Sequence, residues 1–310
     1  MGRRRKKGRP VSGWLILDKP LGMGSTQGVG KVKWLFQAQK AGHAGTLDPL
    51  ATGVLPIALG EATKTVPFIM DAEKTYRFTA KWGATTTTDD GEGEVVATSD
   101  HRPTQDEVDT ILDRFTGEIE QVPPQFSAVK VDGERAYDIA RDGEEVKLEA
   151  RMIVIHDLRI VDTPSADETV FEAVTGKGAY VRALVRDMAK ALGTEGHVSA
   201  LRRTAVGPFH ADDAVSVEAL EEIETPEARD GALQPIAFAL SGLPQAAIDG
   251  PQADRLRRGQ AAVIAPPVAK GVRGEQAGII ENVLAVLHED AVAICTLDGL
   301  KLQPGRVFNG

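Results

Sequence analysis

The sequence predicts an α+β fold: a mixed, largely antiparallel sheet core with flanking helices, followed by a small, mainly β C-terminal unit. Three observations predict it. Apolar and polar residues alternate with strand period from Thr75 to Trp82. Apolar residues recur with helix period at Val181, Leu184, Val185, Met188, Ala189 and Leu192, and Gly193 ends the stripe. After Leu243-Pro244 the texture changes to short apolar runs at Val283–His288, Ala291–Thr296 and Leu300–Leu302, the first two joined by a hairpin turn at Glu289-Asp290. A chain of 310 residues can bury such a core without staples, and its single cysteine, Cys295, excludes an internal disulfide and every multi-cysteine metal site.

Taken in order, residues 1–10 read as a basic, disordered tail. Trp14–Leu17, closed by Asp18-Lys19-Pro20, reads as a buried strand. A Gly-rich loop follows, in which Ser25 is placed to cap a helix carrying Val29, Val32 and Phe36. In the alternating strand, Tyr76, Phe78, Ala80 and Trp82 share one face. Thr104-x-x-Glu107 is a capping box opening a helix with Val108, Ile111, Leu112 and Phe115, which Gly117 stops. Ile153–Ile160 and Val170–Val174 read as strands. Glu218–Asp230 is acidic and linker-like, Ala253–Gly259 is a short basic helix, and Pro266–Gly274 looks irregular. The expected units are 11–242 and 243–310.

The net charge of −9 is unevenly spread: residues 1–65 carry 11 Lys and Arg against Asp18, Asp48 and Glu61, so that stretch is +8 and the remainder −17. A basic front on an acidic body can hold phosphates locally, since screening beyond about 10 Å decouples distant charge. Nucleotide-loop readings fail: Gly22-x-Gly24 meets Gln27 where a third glycine is needed, and Gly30-Lys31 is followed by Val32. The histidines at 43, 101, 156, 197, 210 and 288 lack ligand spacing, so no metal is expected. No apolar run reaches the roughly 18–20 residues of a membrane helix, and the N-terminus lacks a signal-peptide core, so a cytoplasmic, soluble protein is expected.

The densest block is Ala41-Gly42-His43-Ala44-Gly45-Thr46-Leu47-Asp48-Pro49-Leu50-Ala51-Thr52-Gly53-Val54-Leu55-Pro56. Asp48 lies there among leucines with no base between Lys40 and Lys64, so it needs a distant partner. Asp before Pro also reads simply as a turn or helix cap. The block resembles the catalytic motif of the TruB type of tRNA pseudouridine synthase. The resemblance runs from Asp18-Lys19-Pro20-x-Gly22-Met23 through Gly60-Glu61-Ala62-Thr63-Lys64, Tyr76-Arg77, Val122–Ala128 and Gly176–Arg182, to His197-Val198 and Leu201-Arg202-Arg203. Gly24 departs from the Ser or Thr usual in that family. More weakly, Arg255-Leu256-x-x-Gly259-Gln260 and Pro304-Gly305-Arg306-Val307-Phe308 resemble an RNA-binding PUA domain.

The resemblance implies the pseudouridine synthase fold and isomerisation of uridine 55 in the T loop of tRNA, without cofactor, metal or obligate protein partner. It implies Asp48 as nucleophile, Arg182 as its charge partner and Tyr76 as the residue stacked on the flipped base. Tyr180 and Leu201 would complete the base pocket, and His43 would fill the vacated stack. Lys19, Lys64, Arg202 and Arg203 would contact phosphates. Competing readings are a guide-RNA-dependent or ribosomal RNA synthase, a non-catalytic RNA-binding protein, and a glycosidase. The last needs two carboxylates at one bond, and the 41–60 block offers one.

Overall fold

Trp14–Leu17 forms the middle of strand β1 (Gly13–Lys19), and its apolar run is unbroken because both faces are covered. Leu15 and Leu17 join one core, while Trp14 and Ile16 join a second core on the opposite face. The computed structural model describes residues 8–127, 129–131, 134–135, 148–276 and 278–309. Helix α1 (Ser25–Leu35) follows β1, then β2 (Ala41–His43), β3 (Ala51–Leu59), a 3₁₀ turn (Gly60–Lys64) and α2 (Val66–Met70). Strand β4 (Lys74–Trp82) has the expected alternation, with Tyr76, Phe78, Ala80 and Trp82 buried. A small ladder pairs β5 (Ala84–Thr86) with β6 (Val95–Thr98).

The capping box at Thr104 is present: Thr104 Oγ1 accepts from the Glu107 amide and opens α3 (Gln105–Ile111). The chain continues through β7 (Gly117–Gln121), the short pair β8 (Lys130–Val131) and β9 (Glu134–Arg135), β10 (Arg151–Ser165) and β11 (Glu168–Thr175). The strongest apolar stripe becomes α4 (Val181–Ala191), and β12 (Gly196–Val206) and β13 (Phe209–His210) complete the sheet. Its order is β1-β3-β12-β4-β11-β10-β7, with β2 beside β3 and β13 beside β12. Among these pairings β3–β12 alone is parallel, setting Leu201, Arg202 and Arg203 against Ala51, Thr52 and Gly53. On its other side β12 places Leu201 beside Phe78 and Arg203 beside Tyr76. This β3–β12–β4 seam is the floor on which the candidate site is built.

Three local expectations are corrected. Ser25 does not cap α1: Gly24 is the cap residue, and Gln27 Oε1 accepts the Gly24 amide at 2.9 Å. Glu218–Asp230 is no linker. It forms α5 (Val217–Glu222) and α6 (Pro226–Arg229), because Val217 and Leu220 are buried and Arg229, also buried, donates to Leu35 O at 2.9 Å and Leu220 O at 2.7 Å. The acid count of this stretch concealed that anchor. Disorder does not extend to Gly8–Pro10 either: Arg9 N donates to Gln37 O at 2.6 Å and its guanidinium pairs with Asp230 at 2.6 Å. The rest of the basic tail, residues 1–7, and Ala128 of the motif lie outside the described residues.

After α7 (Ile236–Ala239), a second sheet begins at β14 (Gln245–Ala247). Helix α8 (Gly250–Arg257), β15 (Ala262–Val263) and α9 (Pro266–Arg273) precede β16 (Ile280–Leu287), β17 (Asp290–Asp298) and β18 (Lys301–Val307). The sheet order is β14-β16-β17-β18-β15. Pro266–Gly274 is thus a helix rather than irregular, with proline in its first turn where no amide partner is lost. The hairpin between β16 and β17 turns at His288-Glu289, with His288 at φ +56°. No helix among the described residues is long and apolar enough to cross a membrane.

Gly53 sits at φ +96° on β3, and a Cβ there would lie 2.2 Å from Arg203 O on β12. Gly53→Ala is expected to cost about 2–4 kcal/mol, read as a lower urea midpoint at unchanged slope. A wild-type midpoint would show that the parallel seam tolerates separation.

Candidate active site

The loop between β2 and β3 carries Asp48, and its main chain is a turn: Ala51 N donates to Asp48 O at 3.0 Å. Three buried side chains from elsewhere hold this loop. Ser25 Oγ accepts from Leu47 N and donates to Leu47 O, both at 2.8 Å. Lys19 Nζ donates to Met23 O at 2.6 Å, Pro20 O at 3.0 Å and Pro49 O at 3.4 Å. Arg203 donates to Val54 O at 2.8 Å and Gly45 O at 3.1 Å, and its guanidinium also meets the Tyr76 side chain. Burial lowers the Arg203 pKa from its ordinary value, and burial pushes the Lys19 ammonium down to about 8.

Asp48 Oδ2 is 2.7 Å from Arg182 Nη2. The guanidinium is 4% exposed whereas the Asp48 side chain is 38% exposed, so the pair is anchored at the arginine and open at the acid. Arg182 also donates to Thr88 O and Phe126 O, each at 2.8 Å, and lies 3.5 Å from the buried Asp90 carboxylate. The start of α4 is itself clamped, because the Gln121 amide accepts from Tyr180 N at 2.8 Å and donates to Tyr180 O at 3.2 Å. Burial raises the Tyr180 phenol above its ordinary range, which keeps it neutral.

A cavity of about 280 Å³ opens at this point, lined by Asp48, Tyr76, Tyr180, Arg182, Leu201 and Lys74 among others. That is the small end of ligand pockets, room for a single base rather than a duplex. Six expected residues therefore converge: Asp48, Tyr76, Tyr180, Arg182, Leu201 and Arg203. Others do not line it. His43 is half-buried on β2, its Nδ1 has no hydrogen-bond partner among the described residues, and burial followed by the charge of Arg203 lowers its pKa. Arg202 is paired with Asp18 through two bonds of 2.9 Å. Lys64 donates to Glu61 at 2.6 Å and to Val307 O at 2.8 Å, facing the C-terminal sheet.

Lys19 and Arg203 correct the expectation of phosphate contacts: 0% and 1% exposed, they place their charges on loop carbonyls instead. Sequence reasoning missed Ser25's tie to Leu47, the Gln121 clamp, Asp90 and Lys74. Only Lys74 had a signal, since it extends the buried face of Tyr76, Phe78 and Ala80 by one strand period.

Comparison with known proteins decides the family. The model of the TruB family pseudouridylate synthase N-terminal domain matches residues 33–181, and that of the tRNA pseudouridylate synthase B C-terminal domain matches 182–241. The chain belongs to the TruB family. It is 53% identical over 305 residues to tRNA pseudouridine synthase B of Caulobacter vibrioides, covering 98% of each chain. It is 52% identical to the same-named protein of a Ruegeria species, covering 100% of this chain and 99% of that one. Among solved structures, a Cbf5-Nop10-Gar1 complex matches at TM-score 0.70 and 25% identity, covering 99% of this chain and 91% of that one. An H/ACA RNP bound to a substrate RNA matches at TM-score 0.69 and 23% identity, covering 100% and 92%. The two TruB models meet between Val181 and Arg182, so Asp48 and Tyr76 come from the first stretch and Arg182 and Leu201 from the second.

Ser25→Ala would leave the Leu47 amide and carbonyl without their partner. Stability is expected to fall by about 1–3 kcal/mol, measured by chemical denaturation. Wild-type stability would mean that the loop finds other partners.

Proposed function

We propose that the protein isomerises uridine 55 in the T loop of tRNA to pseudouridine, with Asp48 as nucleophile and without a cofactor. One observation carries the reading: a half-exposed carboxylate, held by a buried guanidinium at 2.7 Å, at a cavity of single-base size. TruB membership, and full-length relatives named tRNA pseudouridine synthase B, support the reaction and the RNA class. In this reading the chain acts alone, without an obligate protein partner.

The chemistry follows from the residues. The target base must leave its stack, at a cost of a few kcal/mol, before any side chain reaches it. RNA loops present such bases more readily than duplexes do. Tyr76 offers the extruded ring a π-face, while Leu201 and Tyr180 wall the cavity. Arg182 holds Asp48 Oδ2, and Oδ1 has no hydrogen-bond partner among the described residues, which leaves an oxygen for the reaction. Breaking one N–C bond and making one C–C bond changes no oxidation balance overall, so the site needs position and charge rather than a redox group. Arg202 and Lys64, partly exposed outside the cavity, remain the candidates for phosphate contact.

Unmodified tRNA incubated with the protein alone should gain pseudouridine at position 55, mapped by mass spectrometry. A requirement for a guide RNA would favour the guide-dependent reading, and release of free uracil a glycosidase. Asp48→Asn is expected to lower single-turnover rate about a thousandfold or more while tRNA affinity stays within a few fold. Folding should survive, because Arg182 keeps Asp90 and two carbonyls. Normal turnover by that variant would reduce Asp48 to a turn residue. Tyr76→Phe should bind RNA normally and react slowly; full activity would show its hydroxyl to be idle.

A further inference from the structure

Among the described residues three cations line the cavity, and the two arginines each have four protein partners. Arg182 serves Asp48, Asp90, Thr88 O and Phe126 O. Arg203 serves Val54 O, Gly45 O, Thr46 O and Tyr76. The third is Lys74, 7% exposed and two residues before Tyr76 on the same face of β4. Its Nζ donates to Met70 O at 2.6 Å and Ala72 O at 2.5 Å. An ammonium has three donors. One N–H of Lys74 is therefore without a partner among the described residues. The side chain also packs on the Asp48 loop, since a Cβ built on Gly45 would meet Lys74 Cε at 3.9 Å.

The reaction proposed above creates a need for such a donor. When the N1–C1′ bond of uridine breaks heterolytically, its electron pair stays on the ring, spread over N1, O2 and O4. Asp48 relieves the electron-poor sugar. The ring turns, the pair returns as the C5–C1′ bond, the C5 proton leaves, and N1 ends protonated. Atoms and charge balance, but between the two bonds the cavity holds a uracil anion. We propose that Lys74 donates its third N–H to a carbonyl oxygen of the detached uracil, stabilising the anion as it forms. A preplaced donor in a water-poor site is worth most where charge develops. Two carbonyl acceptors fix the ammonium in place, so it need not reorganise during the reaction.

The inference rests on the pseudouridine reading, and the tests separate the two. With an unmodified T-arm hairpin, Lys74→Met is expected to lower the single-turnover rate about a hundredfold, with affinity within threefold. With 5-fluorouridine at the target position, whose ring better stabilises the anion, the penalty on N1–C1′ cleavage should shrink below about tenfold. Lys74→Arg keeps a cation and should lie nearer to wild type.

The pH profile gives a test that does not depend on the methionine variant folding. The charged groups facing Lys74 are Arg203 of β12, Asp71 after α2 and Lys177 before α4, with the Tyr76 phenol beside it on β4. Burial first, then Arg203, pushes the lysine down to about 8; Asp71 opposes this and Lys177 adds to it. The cationic form, present below that value, is lost above it, so the single-turnover rate should fall as pH rises through about 8. Lys74→Arg should move this limb upward by at least one unit.

Four results would overturn the role: an unchanged rate in Lys74→Met, lost binding with normal chemistry (a phosphate contact), an equal penalty with both bases (a packing role), or a limb that stays at pH 8 in Lys74→Arg. If wild-type protein makes no pseudouridine, the underlying reading fails instead.

Discussion

An arginine side chain that is 4% exposed costs stability unless its donors find acceptors, and that requirement at Arg182 organises the site. Its acceptors come from separate stretches of chain: Asp48, the Thr88–Asp90 turn and Phe126. Satisfying one arginine therefore draws three loops onto the first turn of α4. Asp90, almost wholly buried, supplies the countercharge that makes the burial tolerable, which leaves Asp48 at the open edge. An acid held this way has its position set by groups that do not react.

The same logic recurs under the loop. A segment with Gly45, Pro49 and Gly53 makes few hydrogen bonds of its own, so its carbonyls need donors. Lys19 and Arg203 provide them from two sides, and Ser25 provides both a donor and an acceptor from the start of α1. Long cationic side chains suit this work because one head group reaches several carbonyls. They also leave Asp48 in a neighbourhood rich in positive charge, with Lys19 and Arg203 both interacting electrostatically with it. Placing cations rather than neutral donors beneath a reacting carboxylate serves scaffold and electrostatics together.

What could be read from the sequence divides along the line between local and distant physics. The alternation of Thr75–Trp82, the capping box at Thr104 and the stripe of Val181–Leu192 are set by neighbours in sequence, and each became the expected element. Lys19 and Arg203 were misread because a cation is solvated by default, and only tertiary closure reveals which carbonyls lack donors. Arg229 failed in the same way and with it the linker reading of 218–230. Asp48 was ambiguous for another reason. Its main chain does make the turn that Asp-Pro suggests, and nothing local shows that its side chain crosses to residue 182, so that pairing came from resemblance alone.

Lys64 shows how the second sheet bears on the first. Its ammonium donates to Val307 O while Arg306 donates back to Lys64 O, and Asn309 N reaches Glu61 at 2.8 Å. Arg306 also lies 5.7 Å from the Phe68 ring, on α2. Apolar contact continues beneath, where Leu284, Ile294 and Phe308 pack with Phe68 and Ile236. Helix α2 thus has the C-terminal sheet on one side and, through the carbonyl of Met70, the ammonium of Lys74 on the other. A short helix of five residues has little stability of its own and takes its position from what packs on it. The wall of the cavity at Met70 and Lys74 is therefore set partly by residues more than two hundred positions away, which makes the C-terminal sheet part of the support of the site as well as a neighbour to it.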